Sequence, residues 1–229
     1  MDYAHLKTDT AKEFVTGSVT ILEGMINEAI LAKGKCILGL SGGSTPRPVY
    51  EALGRSTEID WSKVWIFLID ERYVSSESED SNSKLIRDSL LAGARIPPMQ
   101  YKYPADLPLE EWQSEYEATL ADLLQGTWPD IAVLGMGEDG HIASLFPPVI
   151  KQAQGPELTV HTTTDHFAVH DRVSVTLPVL TKATHKVFLL KGEGKKAVWN
   201  EMLQSGEDEN RWPAKAILKS GGCTVVSQW

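Results

Sequence analysis

Apolar residues follow two alternating rhythms along this chain. From Thr10 to Lys33, Phe14, Ile21, Leu22, Met25, Ile26, Ala29 and Ile30 recur close to helical spacing, and Gly34 stops the run. Cys36 to Leu40 is a short apolar run that predicts a strand. Pro46, with Val49, Tyr50 and Leu53 behind it, predicts a helix reaching Gly54. Val64 to Ile69 is apolar at every position, the pattern of a central strand covered on both faces. A polar loop follows over Ser75 to Ser81, then helices near Asn82 to Ala92 and Leu109 to Leu124, and a strand at Ile131 to Leu134. Beyond Pro148 strands are denser: Leu158 to His161, Val173 to Leu177, Lys186 to Leu190, and a last edge strand at Thr224 to Val226. A helix at Glu193 to Leu203 lies among them. Strands alternating with helices, without an internal repeat or a linker, predict an α/β fold: one doubly wound domain over residues 1–229. Residues about 150 to 180 form a strand-rich embellishment.

Four of these strand ends carry chemistry. Ser41-Gly42-Gly43-Ser44-Thr45-Pro46 joins a strand to a helix, where glycine and hydroxyl residues can aim N–H groups and a helix N-terminus at a phosphate. The loop has neither the Gly-x-x-x-x-Gly-Lys nor the Gly-x-Gly-x-x-Gly spacing of nucleotide-binding loops, and a plain tight turn would read the same way. Asp70-Glu71-Arg72 turns six apolar residues abruptly into three charges. Gly135-Met136-Gly137-Glu138-Asp139-Gly140-His141 delivers a carboxylate and an imidazole through a glycine turn to what reads as the start of a short helix. Arg172 opens one later strand and Lys195 follows another. Each basic residue is weak alone, but together they are better explained by one small anionic substrate than by chance.

Composition narrows this reading. The 229 residues carry 22 Lys plus Arg against 31 Asp plus Glu, a net charge of −9, which disfavours nucleic acid while leaving room for a local anion site. Cys36 and Cys223 have no partner at metal spacing and read as buried thiols of a reducing compartment. His161, His166 and His170 match no standard ligand spacing, so no metal is expected. No apolar run approaches membrane-spanning length and no secretory signal opens the chain, so a cytoplasmic protein without membrane contact is expected. No Gly-x-Ser-x-Gly elbow supports a serine hydrolase.

Ser41 to Pro46, Asp70-Glu71-Arg72, Ser81-Asn82, Gly135 to Pro147, Arg172 to Leu180 and Gly192 to Lys195 fall in the order and rough spacing of the 6-phosphogluconolactonase family, which the chain resembles over nearly its whole length. The resemblance implies a modified Rossmann-like, mostly parallel sheet with helices on both faces. It also implies hydrolysis of 6-phospho-D-glucono-1,5-lactone to 6-phosphogluconate, a step of the oxidative pentose phosphate pathway. His141 would be the general base, and Asp139 and Asp70 would orient it or hold sugar hydroxyls. Ser41, Gly42, Gly43, Ser44, Thr45, Arg72, Asn82, Arg172 and Lys195 would hold the phosphorylated substrate. A lactone is an activated ester, so neither metal nor cofactor is required, and a monomer or weak homo-oligomer is expected. The related sugar-phosphate deaminases continue Asp-Gly-His-Ile-Ala with Phe-Asn-Glu-Pro, whereas here Ser144-Leu145-Phe146-Pro147 puts Phe146 at the position of that Glu. A non-catalytic sugar-phosphate sensor would need the anion-binding residues but not His141. Two departures stand out: Lys215 replaces a small residue, and the chain stops at Gln228-Trp229 without the family's helical tail, which predicts a trimmed or differently packed C-terminal edge.

Overall fold

The computed structural model describes residues 2–229. Its strands are β1 (Ala4–Thr8), β2 (Cys36–Leu40), β3 (Val64–Leu68), β4 (Asp70–Arg72), β5 (Tyr101–Lys102), β6 (Ile131–Leu134), β7 (Thr159–Thr163), β8 (Asp171–Val175), β9 (His185–Lys191) and β10 (Cys223–Gln228). The α-helices are α1 (Ala11–Lys33), α2 (Arg47–Leu53), α3 (Asn82–Ile86), α4 (Leu109–Leu124), α5 (Leu177–Lys182), α6 (Glu193–Gln204) and α7 (Pro213–Lys219). Seven strands form one sheet in the order β1-β10-β9-β6-β2-β3-β5, every pairing parallel. β4, β8 and β7 form a separate antiparallel sheet.

The central strands are apolar throughout because both faces are covered. Along β3, Val64, Ile66 and Leu68 enter one core with Phe14, Leu22 and Ile26 of α1 and Val49, Tyr50 and Leu53 of α2. Phe67 and the following Ile69 point the other way, into a core with Trp112, Tyr116 and Leu120 of α4 and Trp199 and Met202 of α6. Each fully buried aliphatic side chain contributes about 1.5 to 3 kcal/mol of transfer free energy. α1 begins with a reciprocal capping box between Thr10 and Glu13, and Gly34 ends it in the left-handed conformation at φ 75°. By length and average composition α1 is apolar enough to cross a bilayer. Here Phe14, Ser18, Leu22, Ile26 and Ala29 lie buried against the sheet.

Strand order reverses at β2: β3 and β5 lie on one side, and β6, β9 and β10 on the other. A crevice therefore opens outside the carboxyl ends of β2 and β6, where two successive connections leave in opposite directions.

Four expectations need correction. No helix follows His141, because Ala143 turns left-handed at φ 51° and Ile142 and Leu145 form a one-residue bridge. β10 is not the edge; it lies between β9 and β1, and β1 is the outer strand. The segment 82–92 is not one regular helix, since α3 widens into a π turn at Arg87–Leu91. Leu177 belongs to α5 rather than to the preceding strand. At the C-terminal end of the sheet, all six residues of β10 pair with β9.

Candidate active site

Period-two alternation in β4 sorts the Asp-Glu-Arg triplet. Asp70 and Arg72 face a cleft of about 470 Å³ at the switch point, and Glu71 faces away. Glu71 is buried and caps α3: its carboxylate accepts from the N–H groups of Asn82 (2.8 Å) and Ser83 (2.7 Å) and from Ser81 Oγ (3.0 Å). Burial raises the Glu71 pKa despite those donors, which pull it down. The triplet thus splits between chemistry and anchorage.

All twelve candidate residues line this one cleft: Ser41, Gly42, Gly43, Ser44, Thr45, Asp70, Arg72, Asn82, Asp139, His141, Arg172 and Lys195. The loop after β2 lies directly on Asn82, and a Cβ on Gly42 would collide with the Asn82 amide. Asn82 Nδ2 donates to Asp70 O at 2.8 Å, so this side chain fastens the start of α3 to β4 as well as reaching the cleft. Among the described residues, the N–H groups of Gly42, Gly43 and Ser44 have no protein acceptor. Lys195 stands in the first turn of α6, so its ammonium and a helix N-terminus meet the cleft together.

Arg72 and Arg172 are opposite residues across β4 and β8, an arrangement that like charges disfavour unless an anion joins them. Arg72 donates one Nη1 bond to Asp80 O at 2.5 Å, and among the described residues its buried Nε has no partner. Arg172 gives Nε to Val169 O at 3.1 Å. Burial, and next the charge of Arg72, lower the Arg172 pKa. The pair faces the cleft as two under-used guanidinium forks, suited to a phosphate.

On the opposite wall, Asp139 Oδ1 lies 2.5 Å from His141 Nδ1 and 3.2 Å from His141 N. Burial works against ionisation of Asp139, but the hydrogen bonds and charge of His141 prevail and hold its pKa at about 2. Its folded value lies below the ordinary 3.8, so its contribution to stability is complete above pH 3.8 and fades as pH falls toward 2. An ionised Asp139 fixes the proton of a neutral imidazole on Nδ1, leaving the Nε2 lone pair without a protein partner among the described residues. Asp70 takes no part in this pair and accepts from Ser144 Oγ at 2.7 Å. Of the two carboxylates, Asp139 contacts the imidazole and Asp70 lies on the cleft wall.

Gly137 is the reason the pair fits, since a Cβ there would strike the His141 ring and Asp139 Oδ1. Gly137→Ala is therefore expected to fold but to displace the imidazole, with a loss of up to about 10²-fold in turnover. Initial rates and a melting curve measured together test this: unchanged rates would mean the turn absorbs the methyl.

Sequence reasoning missed the rim. Phe146 packs on the His141 ring at 4.9 Å between centroids, and Phe167 at 5.6 Å from the β7–β8 loop. Both also lie near the Arg172 guanidinium, at 6.0 and 5.5 Å. Phe146 sits in a recognisable motif, but no local pattern marks Phe167. Away from the cleft, His161 pairs with Asp171 at 2.8 Å. Among the described residues no three metal-binding side chains converge. Cys36 and Cys223 are buried, and burial raises both thiol pKa values.

The chain is similar to known proteins over nearly its whole length. The family model described as glucosamine-6-phosphate isomerases/6-phosphogluconolactonase matches residues 9–226. A probable 6-phosphogluconolactonase of Dictyostelium discoideum is 40% identical over 224 residues, 93% of each chain. The solved 6-phosphogluconolactonase of Plasmodium vivax superposes with a TM-score of 0.90 at 29% identity, covering 98% of this chain and 90% of that one. The Thermotoga maritima structure of the same description gives 0.85 at 27%, covering 99% of both chains. With the match running from α1 to β10, the chain belongs to the glucosamine-6-phosphate isomerase/6-phosphogluconolactonase family.

Proposed function

We propose that the chain hydrolyses 6-phospho-D-glucono-1,5-lactone to 6-phosphogluconate, with residues 1–229 acting as one catalytic domain. One observation carries the reading. A carboxylate-oriented imidazole with a free Nε2 shares a cleft with two facing arginines, a charged lysine and a glycine loop. A lactone phosphate needs both halves: a base at the carbonyl and an anion grip some distance away.

The chemistry follows from placement. His141 Nε2 takes a proton from water as the water oxygen bonds to the lactone carbonyl carbon, giving a tetrahedral oxyanion. N–H groups of a glycine loop meet that charge. The intermediate collapses with cleavage of the bond to the ring oxygen, which leaves with the proton returned by His141. The product is an open-chain carboxylic acid, which ionises in water. A positioned base is typically worth about 10²- to 10⁴-fold. Binding energy from the phosphate, spent on Arg72, Arg172 and Lys195, aligns the lactone at His141. Asp70 is placed to hold sugar hydroxyls. The scheme uses no metal or cofactor, and it suits a cytoplasmic monomer or weak homo-oligomer acting on a freely diffusing sugar phosphate.

Deaminase chemistry is disfavoured at one position. Where the deaminases carry a glutamate beside the histidine, Phe146 places an aromatic ring against His141. The test follows acid release from freshly generated 6-phosphogluconolactone and ammonia release from glucosamine 6-phosphate, each with and without a chelator. Rapid lactone hydrolysis, unaffected by chelation, is expected, with no ammonia. Ammonia release without lactone hydrolysis would reverse the assignment, and chelator-sensitive hydrolysis would bring a metal into it.

A further inference from the structure

Among the described residues, the turn that carries His141 is fastened to the rest of the molecule at a single hydrogen-bonding point. Residues 137–141 close on themselves: Gly137 N donates to His141 O at 2.8 Å, and Gly140 N donates to Gly137 O at 3.1 Å. The Asp139 carboxylate is likewise spent within the turn, on His141 N and Nδ1. Among the described residues, one hydrogen bond reaches the turn from elsewhere: Arg211 Nη1 donates to Asp139 O at 2.9 Å, across 72 positions of sequence.

Arg211 is itself held firmly. Its guanidinium lies 3.7 Å from the ring centroid of Trp212, which is 1% exposed and belongs to the main core. Gly140, at φ 91°, has the Trp212 ring and Arg211 Nη1 in the space a Cβ would need. The loop leading to Arg211 is tied from below by Lys215, whose buried Nζ donates to Ser205 O and Glu207 O, both at 2.6 Å. Trp212 N donates to Asp208 O at 2.9 Å. Lys215 thereby braces the segment that presents Arg211.

We infer that Arg211 is a positioning residue for the Asp139–His141 pair, acting through the Asp139 carbonyl and touching no substrate. The Asp139–Gly140 peptide plane sets the direction in which the carboxylate leaves the backbone. That carboxylate selects the proton-bearing nitrogen and aims Nε2. Without the Arg211 donor the peptide plane can rotate, and the imidazole loses both its fixed tautomer and its aim. The chemical consequence rests on the lactonase reading, whereas the effect on the imidazole does not.

Arg211→Met keeps an apolar chain over Trp212 but removes every donor, and Arg211→Lys keeps a charged donor without the fork. Steady-state rates, a melting curve and the ring-nitrogen chemical shifts of His141 are measured for both, the resonance being assigned by its absence from His141→Asn. Arg211→Met is expected to lower kcat by roughly 10- to 100-fold with KM unchanged, the scale of a small misplacement of a catalytic group. Its ring-nitrogen shifts should move from a single Nδ1-protonated form to a mixture of tautomers, and Arg211→Lys should restore part of both. Unchanged His141 shifts in Arg211→Met overturn the proposal whatever the rate does, and so does a kcat equal to the parent's. If the parent itself does not hydrolyse the lactone, the functional reading fails, and the shifts alone decide the role of Arg211. If Arg211→Met does not fold, Arg211→Lys decides by the same two readouts: parental shifts and kcat overturn the proposal, and partial losses support it.

Discussion

His141→Asn is expected to fold like the parent and, if general-base catalysis by His141 is the main chemical contribution, to lose about 10²-fold or more in kcat. Asparagine suits the test. Its amide N–H can still meet Asp139 Oδ1, where the parent has the Nδ1 contact at 2.5 Å, so the turn keeps its shape. What disappears is the Nε2 lone pair. Affinity for the product's phosphate should persist, since Arg72, Arg172 and Lys195 lie on other elements. Rates above spontaneous lactone hydrolysis, with product binding measured in parallel, separate the two effects. Parental turnover in this variant would remove His141 from the role of base.

Arg72→Ala is expected to cost roughly 10- to 100-fold in kcat/KM on the phosphorylated lactone, since a charge-assisted hydrogen bond is worth about 1.5 to 3 kcal/mol. Unphosphorylated glucono-δ-lactone has nothing for this side chain to hold, so parent and variant should be similarly poor on it. Arg72→Lys should recover only part of the loss, because an ammonium cannot reproduce the planar fork. Folding should be spared: the change relieves Arg172 of a facing like charge and leaves the Glu71 cap on α3 in place. Measuring kcat/KM for both lactones with all three proteins decides the matter. Equal proportional losses on the two substrates would put Arg72 at the reacting carbonyl, not at the phosphate.

Legibility tracked the physical origin of each element. β2, β3 and β6 were readable because strands covered on both faces must be apolar at every position, and α1 and α4 because one buried stripe recurs at helical spacing. β4 was not, since Asp-Glu-Arg is held by pairing to β8 rather than by apolar burial. β1 was missed for a related reason: in Ala-His-Leu-Lys-Thr only Thr8 is buried, so an edge strand leaves almost no hydrophobic trace. The expected helix after His141 failed on one residue, Ala143, whose left-handed turn no propensity signals. Among candidate site residues, those on loops at strand ends carried local signatures of glycine, hydroxyl and charge. Phe167 and Arg211 carried none, because they reach the cleft and the turn behind it only through tertiary packing.

The pairing of β1 with β10 sets an order of assembly. Among the described residues β1 pairs with β10 alone, so a strand near one end of this sequence waits for the strand near the other. Closing a loop of this length is entropically slow compared with forming the local β2–α2–β3 unit. α1 packs against α2 and β2 as well as β10, so it buries most of its apolar face in that local unit and the remainder when Cys223 to Gln228 arrives. β10 then slots between β9 and β1, so the strand pairing most distant in sequence is the last to form.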